Sequence, residues 1–573
     1  MFQNEKVIET KTCKHCNTNF EITDKDLEFY EKVSPVFGGK KYNIPSPSLC
    51  PDCRQQRRLS FRNERKLYKR KCDATKKDII SIYSPNKMFK VYDQDFWWSD
   101  NWDPMDYGRD FDFSKSFFEQ FDELLKEVPL INLWNIKPED SEYNNNCFGL
   151  KDSYMNFNSD FGKNNYYSYI CEYCNDVIDC SYSYESNNCY FSFDLSNCYN
   201  CFYSNSLKDS ADCYFSSDLV NCKYCFGSHS LRNTSYYWFG KKVRKEEWEL
   251  LFKENHQISN LKINSELSRE VSLKSPKKCL NNFDNENCLG DYISNSKNVY
   301  FSYDVGKSED CKYLTYAPFD VKNVYDSYAL GSVENGYECN EGGLNISNCC
   351  FVKNQANGLH KSFYTILCLN GSSNLFGCIG LKRKEYCVLN KQYTREQYEK
   401  LVPKIIEHMI SNGEWGEFFP NSISPFGYNE TVANEYFPLK REQALKENFN
   451  WSDYEPPFPR VDKIITVEMY SNTSLLEDAN KVPDDILNRA IECEVTKKPF
   501  RIIKQELEFY RRHNLPIPRR HPDQRHMDRM ALRNPRKLFD RKCDKCGKDI
   551  ITTYSTERPE IVYCEECYNK EIY

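Results

Sequence analysis

Eight of the 29 cysteines fall into Cys-x-x-Cys pairs that can co-operate two by two: Cys13 and Cys16 with Cys50 and Cys53, and Cys543 and Cys546 with Cys564 and Cys567. Two such pairs bringing four thiolates together is the usual sequence sign of structural zinc. Zinc takes four sulfurs at about 2.3 Å in a tetrahedron, and each pair supplies two from one tight turn. Four thiolates leave no position open for water, so the chemistry expected is the holding of shape, with two Zn2+ per chain.

The segments carrying these sites are copies of one another. The first runs from Cys13 through Leu27-Glu28-Phe29-Tyr30, Cys50 and Cys53 to Arg65-Lys66-Leu67, Lys71-Cys72-Asp73 and Tyr83-Ser84. The second runs from Cys493 through Leu507-Glu508-Phe509-Tyr510, His521 and Gln524 to Arg536-Lys537-Leu538, Lys542-Cys543-Asp544 and Tyr554-Ser555. An ancestral unit with two four-cysteine sites accounts for both. The first copy keeps one site and reads Cys72, Thr75, Asp93 and Phe96 at the other; the second reads Cys493, Thr496, His521 and Gln524 where the first keeps its ligands.

After each position of the first site the chain places arginines at matching intervals: Arg54, Arg58, Arg62 and Arg65 in one copy, Arg525, Arg529, Arg533 and Arg536 in the other. On a helix this spacing lines up guanidiniums along one face. The forked guanidinium suits phosphate, so these helices are expected to grip RNA or DNA. Net charge is −6, against whole-surface nucleic-acid binding, but residues 54–77 hold eleven Lys/Arg against two acids and residues 141–236 hold five against eleven. Two alternatives follow from that map. The arginines could pair internally, with Glu28 and Glu508 or with the acidic middle of the chain, or they could meet the acidic middle of a neighbouring molecule.

The middle is a repeat. Rows of twelve begin at Cys189, Cys201, Cys213 and Cys225, with Leu195, Leu207, Leu219 and Leu231 seven positions into each. A second, looser array of 12–13 residues passes through Tyr300, Tyr313, Tyr325, Tyr337, Phe351, Phe363 and Phe376. Both arrays end alike, Tyr237–Trp248 matching Cys387–Tyr398, each running into a helical pattern. Short aromatic runs broken by Asn, Asp, Ser and Gly are strand–turn signals, and a fixed short period indicates a solenoid. The fold class expected is mainly β: duplicated β-solenoid (β-helix-like) arrays with capping helices, flanked by small α/β zinc-ribbon or treble-clef-like modules. One row per turn gives a narrow coil suited to small Cys and Ser. Two rows give a coil of about 24 residues, nearer ordinary β-helices, and the bulky Phe and Leu favour this larger coil. The pairs 171/174, 198/201 and 222/225 fall out of the repeat and read as stacked buried thiols.

At 573 residues the chain accommodates several domains. The expected division is a zinc module over 1–98, a packing helix and connector over 99–140, arrays with their capping helices over 141–275 and 276–411, an irregular connector over 412–485, and a second zinc module over 486–573. Phe113, Phe117, Phe118, Phe121, Leu124 and Leu125 recur at helical spacing before Pro129. No apolar run is long enough to span a membrane, and no export signal opens the chain, so the cysteines are expected reduced and the protein cytoplasmic.

Cys13, Cys16, Phe20, Leu27-Glu28-Phe29-Tyr30, Cys50, Cys53 and Arg54 together resemble the zinc-ribbon domain family of bacteria and plants. That resemblance implies zinc at Cys13, Cys16, Cys50 and Cys53, and it implies no activity. The whole arrangement resembles uncharacterised zinc-ribbon proteins of candidate-phyla bacteria. The sequence departs in having Asn17 where glycine is usual and in a longer spacer over 31–49. Nucleotide-loop, metalloprotease and serine-hydrolase signatures are absent. The function expected is a zinc-binding, non-enzymatic scaffold whose modules grip nucleic acid. The alternative is a solenoid that binds a protein partner along its face with no nucleic acid. A more remote alternative is a β-helix enzyme acting on carbohydrate, with Asp194 and Asp218 as its carboxylates.

Overall fold

In the computed structural model, residues 5–573 are described apart from 256–260, 319, 331–332, 335, 343–345, 354–357, 458–459, 462 and 474–475; residues 1–4, where an export signal would begin, also lie outside. The chain forms two compact units, each discontinuous in sequence: residues 1–133 with 280–454, and 134–279 with 455–573. Each unit therefore contains one array and one terminal module, and the module comes from the opposite end of the chain. No helix among the described residues is long and apolar enough to cross a membrane.

The arrays are parallel β-solenoids. In the first, Cys201 pairs with Cys213 and Cys213 with Cys225, while Leu195, Leu207, Leu219 and Leu231 pair in turn. Twelve residues therefore complete one coil, and the expected coil of about 24 is corrected. The reason is visible in the backbone. A positive φ recurs at every third residue, as at Tyr167, Ile170, Tyr173 and Asp176, so each coil has four three-residue sides with a left-handed residue at each corner. Sides this short leave room only for small interior side chains: Cys171, Cys174, Val177 and Cys180 point inward and are fully buried. The bulky aromatics that favoured a wider coil lie outside the ring. Phe202, for example, packs on Phe509 of the C-terminal module, ring centroids 6.2 Å apart.

A left-handed corner costs an ordinary L-residue about 1–2 kcal/mol, less for Asn and Asp, whose side chains hydrogen-bond locally. Two devices offset this. Asn and Asp fill many corners and ladder from coil to coil, as in Asn188 to Asn200 (3.1 Å) and Asn200 to Asp212 (2.6 Å). Aromatic corners stack instead; Tyr203 and Phe215 lie 4.9 Å apart and 7° from parallel. Inside, the serines satisfy the inward N–H groups that the strand ladders miss. Ser204, Ser216, Ser228 and Gly240 N–H each donate to the hydroxyl of the serine twelve residues earlier, at 3.0–3.2 Å. Each of those hydroxyls donates in turn to a carbonyl of its own coil, as from Ser204 to Phe202 at 3.0 Å.

The second array follows the same plan with coils of 11 to 13 residues: Leu289 pairs with Tyr300, Val299 with Cys311 and Cys350 with Phe363. Both arrays close as the sequence predicts. An antiparallel hairpin caps each last coil, Ser235–Trp238 with Lys241–Lys242 and Glu385–Val388 with Lys391–Gln392. The helices Lys245–Asn255 and Arg395–Ser411 follow. Trp248 and Tyr398, at matching positions, are buried on the coil ends. The predicted packing helix is Phe117–Glu127, capped by Ser116 and burying Phe117, Phe118, Phe121, Leu124 and Leu125; Phe113 lies before it and is exposed.

Candidate metal centres and the arginine helices

In the first module the strands Val7–Thr12 and Asn19–Thr23 form a hairpin whose turn carries Cys13 and Cys16. Cys50 caps the helix Pro51–Leu59, and Cys53 lies in its first turn. The C-terminal module repeats this: Cys543 and Cys546 sit between the paired strands Phe539–Lys542 and Asp549–Thr552, and Cys564 caps the helix Glu565–Ile572, which carries Cys567. In each group of four all the sulfurs lie within 4.8 Å of one another. The two groups are the only such clusters of three or more ligand side chains among the described residues.

The donor set fits a metal cation. Backbone N–H groups point at the sulfurs, from Cys50 to Cys13 and from Cys564 to Cys543, each at 3.2 Å. A helix N-terminus contributes two ligands in each case, and its partial positive charge favours the thiolate form. Cys16 and Cys546 are the exposed members. Zinc would be held here by Cys13, Cys16, Cys50 and Cys53, and by Cys543, Cys546, Cys564 and Cys567.

The two decayed sites keep the frame without the ligands. Cys72 still accepts N–H bonds from Thr75 (3.4 Å) and Asp93 (3.3 Å), and Thr75 Oγ1 donates to the Asp93 carboxylate at 3.0 Å, so a hydrogen bond stands where a shared ion would. Cys493 accepts from Thr496 N–H at 3.4 Å, and His521 Nδ1 accepts from Asp523 N–H at 3.2 Å.

The arginines are placed differently from the expected phosphate-binding face. The helices end early, at Leu59 and Leu532, so Arg62, Arg65, Arg533 and Arg536 do not continue one stripe. Arg54, Arg58, Arg62 and Arg65 are buried, as are Arg525 and Arg529. Arg54, Arg58, Arg525 and Arg529 meet acids at the corners of the array within their own unit. Arg54 and Arg58 reach the same carboxylate oxygen of Asp326, at 2.9 and 3.1 Å; Arg57 reaches Glu338 at 2.7 Å and Glu417 at 2.9 Å. Arg62 pairs with Glu64 and lies over the Tyr328 ring. In the other unit Asp179 receives both Arg525 and Arg529, the latter at 2.7 Å; Arg525 also meets Glu506 at 3.3 Å. Arg533 reaches Asp194 at 3.0 Å and Arg536 the Tyr182 hydroxyl at 3.2 Å. Pairing with the acidic array, the first alternative, is what the geometry contains. Glu28 and Glu508 are exposed and pair with Lys25 and Lys504 instead.

Burial raises the carboxyls of Glu338 and Glu506 above their ordinary range, with the guanidiniums of Arg57 and Arg525 opposing it. Asp179, Asp326 and Glu338 all occupy left-handed corners. The carboxylates weighed for carbohydrate chemistry are also tied up: Asp194 by Arg533, and Asp218 by Arg232 at 2.8 Å and by the Tyr568 hydroxyl. The Phe-Tyr pairs of the repeated tetrapeptides dock on the arrays as well. Phe29 stacks on Tyr325 at 3.9 Å, and Tyr510 lies 5.7 Å from Tyr190.

No protein-family model matches the chain, and no curated protein matches it. A solved structure similar to part of it is that of a protein assigned as an acetyltransferase from Desulfovibrio desulfuricans G20. The match is 10% identical, covers 42% of this chain and 63% of that one, and has a TM-score of 0.10. Because that neighbour is an enzyme by assignment, the expectation of a non-enzymatic chain is withdrawn. At that TM-score the likeness carries no argument for a reaction or a substrate.

Proposed function

We propose that the chain is a zinc-clamped β-solenoid scaffold of a reducing compartment, in which two structural zinc ions set the terminal modules and the modules brace the arrays. The reading rests on one observation, the two groups of four sulfurs each gathered within 4.8 Å. Four thiolates close the coordination sphere, so the ions stabilise and do not activate water. The buried arginines do not support the expected grip on RNA or DNA, and the partner proposed is a protein. It would meet the ladder-bearing sides of the arrays, where Asn175 bonds Asn187 and Asn197 bonds Asp209 at exposed positions.

Metal analysis of the purified full chain tests the clamp. Two zinc ions per chain are expected, falling to one in Cys13→Ser and in Cys543→Ser, with proteolysis then opening the module that lost its ion. A chain without bound metal, or one whose metal is unaffected by either substitution, overturns the reading.

A further inference from the structure

The first array contains sulfurs that neither metal centre uses. Cys189, Cys201, Cys213 and Cys225 occupy the same inward position on four successive coils, and all four are fully buried. Each of these thiols donates to a carbonyl of its own coil, Cys201 to Tyr199 at 3.4 Å and Cys213 to Ala211 at 3.3 Å, so the column is ordered.

Coil spacing sets the metal chemistry. Successive rungs of a parallel ladder are about 4.8 Å apart, and two metal–thiolate bonds of about 2.3 Å laid end to end span about 4.6 Å. The column offers sulfurs in pairs, because only the terminal groups gather three or more ligands among the described residues. A site of two sulfurs is unsuited to zinc, which needs four donors, and suits soft ions that thiolates select. We propose that this thiol column binds soft monovalent d10 cations, Cu(I) being the type, each held between the sulfurs of two successive coils.

The exchange balances without an oxidant. For each ion that enters, one S–H bond breaks, one proton leaves and one cation takes its place between two sulfurs. The interior therefore gains no net charge. This matters because burial pushes the Cys189 and Cys213 thiols well above their ordinary range, so a bare thiolate is disfavoured there. The inference does not depend on the terminal centres holding zinc.

The test supplies Cu(I) anaerobically to the zinc-loaded full chain, both folded and during refolding, followed by washing with a Cu(I) chelator. The four rungs define three gaps, so about three copper ions per chain are expected to remain, with zinc unchanged and a first shell of sulfur in X-ray absorption. In the variant Cys189→Ser/Cys201→Ser/Cys213→Ser/Cys225→Ser this copper is lost. Serine already fills inward positions of the same coils at 192, 204, 216 and 228, so the fold is expected to persist. Should the quadruple variant misfold, Cys213→Ser alone breaks two of the three gaps and is expected to remove about two-thirds of the copper. Copper retained only by displacing zinc, equal copper in wild type and either folded variant, or no retained copper at all overturns the proposal.

Discussion

Asp179→Asn probes the arginine–corner pairing directly. The substitution keeps the size and the tolerance of a left-handed corner, so it removes charge and little else. In the native unit Asp179 is fully buried and accepts Arg525 on one oxygen and Arg529 on the other, both guanidiniums also buried. A unit charge pair 4 Å apart is worth about 4 kcal/mol at an effective dielectric of 20. Glu506 remains to compensate one arginine, leaving one buried cation uncovered. Breaking a buried pair in this way costs about 3–5 kcal/mol. Denaturant unfolding, followed through proteolysis of residues 455–573, is expected to show the first transition shifted by that amount. Adding Arg529→Met is expected to recover most of the loss, because the uncovered cation is then gone. A single variant within about 0.5 kcal/mol of wild type, which is the range of ordinary surface substitutions, refutes the pairing as a stabilising contact.

Three further outcomes are expected. Thr75→Cys/Asp93→Cys/Phe96→Cys rebuilds the decayed site around Cys72, whose N–H···S frame is intact, and metal analysis should find one more zinc per chain than in wild type; an unchanged count shows that the frame no longer closes. Burial raises the Glu172 carboxyl from 4.5 to about 7, with Asp160 on the adjacent coil adding to it. The folded state thus binds the extra proton, and stability from this group falls as pH rises from about 4.5 to about 7. Glu172→Gln is expected to gain about 1–3 kcal/mol over wild type at pH 8 and little at pH 4, and equal gains at both pH values would contradict this. Ser204→Ala leaves the Ser216 N–H without its acceptor and should cost about 1–3 kcal/mol, whereas a neutral result would place water in that interior.

Much of this architecture is legible in the amino-acid sequence. The duplicated modules, both sulfur quartets, the two arrays and their matching hairpin-and-helix endings follow from spacing alone, because tetrahedral thiolate sites and stacked coils each impose strict intervals. Coil size is the exception, for a physical reason. Period twelve is equally compatible with one row or two per turn, and Phe202 and Phe226 resemble core residues. They are core residues, but of the packing between array and module, outside the ring. The decisive signal is finer. Cys, Ser, Leu or Val stands at every third position, as at Cys189, Ser192, Leu195, Cys198 and Cys201, with Asn, Asp or an aromatic commonly just before it. The arginines stand out in the sequence but their partners do not, since Asp179 and Asp326 lie more than 260 residues from the guanidiniums they receive. Nothing local distinguishes a corner aspartate that accepts an arginine from one that ladders to its neighbour.

The three-residue side also gives the solenoid something like a reading frame. Inside and outside are assigned modulo three, so a lost or gained residue would in principle turn every later small residue outward and every later aromatic inward. The second array shows how the fold escapes that fate. Its coils of 11 and 13 residues, from Leu289 to Tyr300 and from Cys350 to Phe363, absorb the irregularity locally, and Leu375, Cys378 and Cys387 are still interior beyond it. Frameshifts in this chain are thus corrected within one coil. An array built this way can drift in length, coil by coil, while its ends and their caps stay where they are.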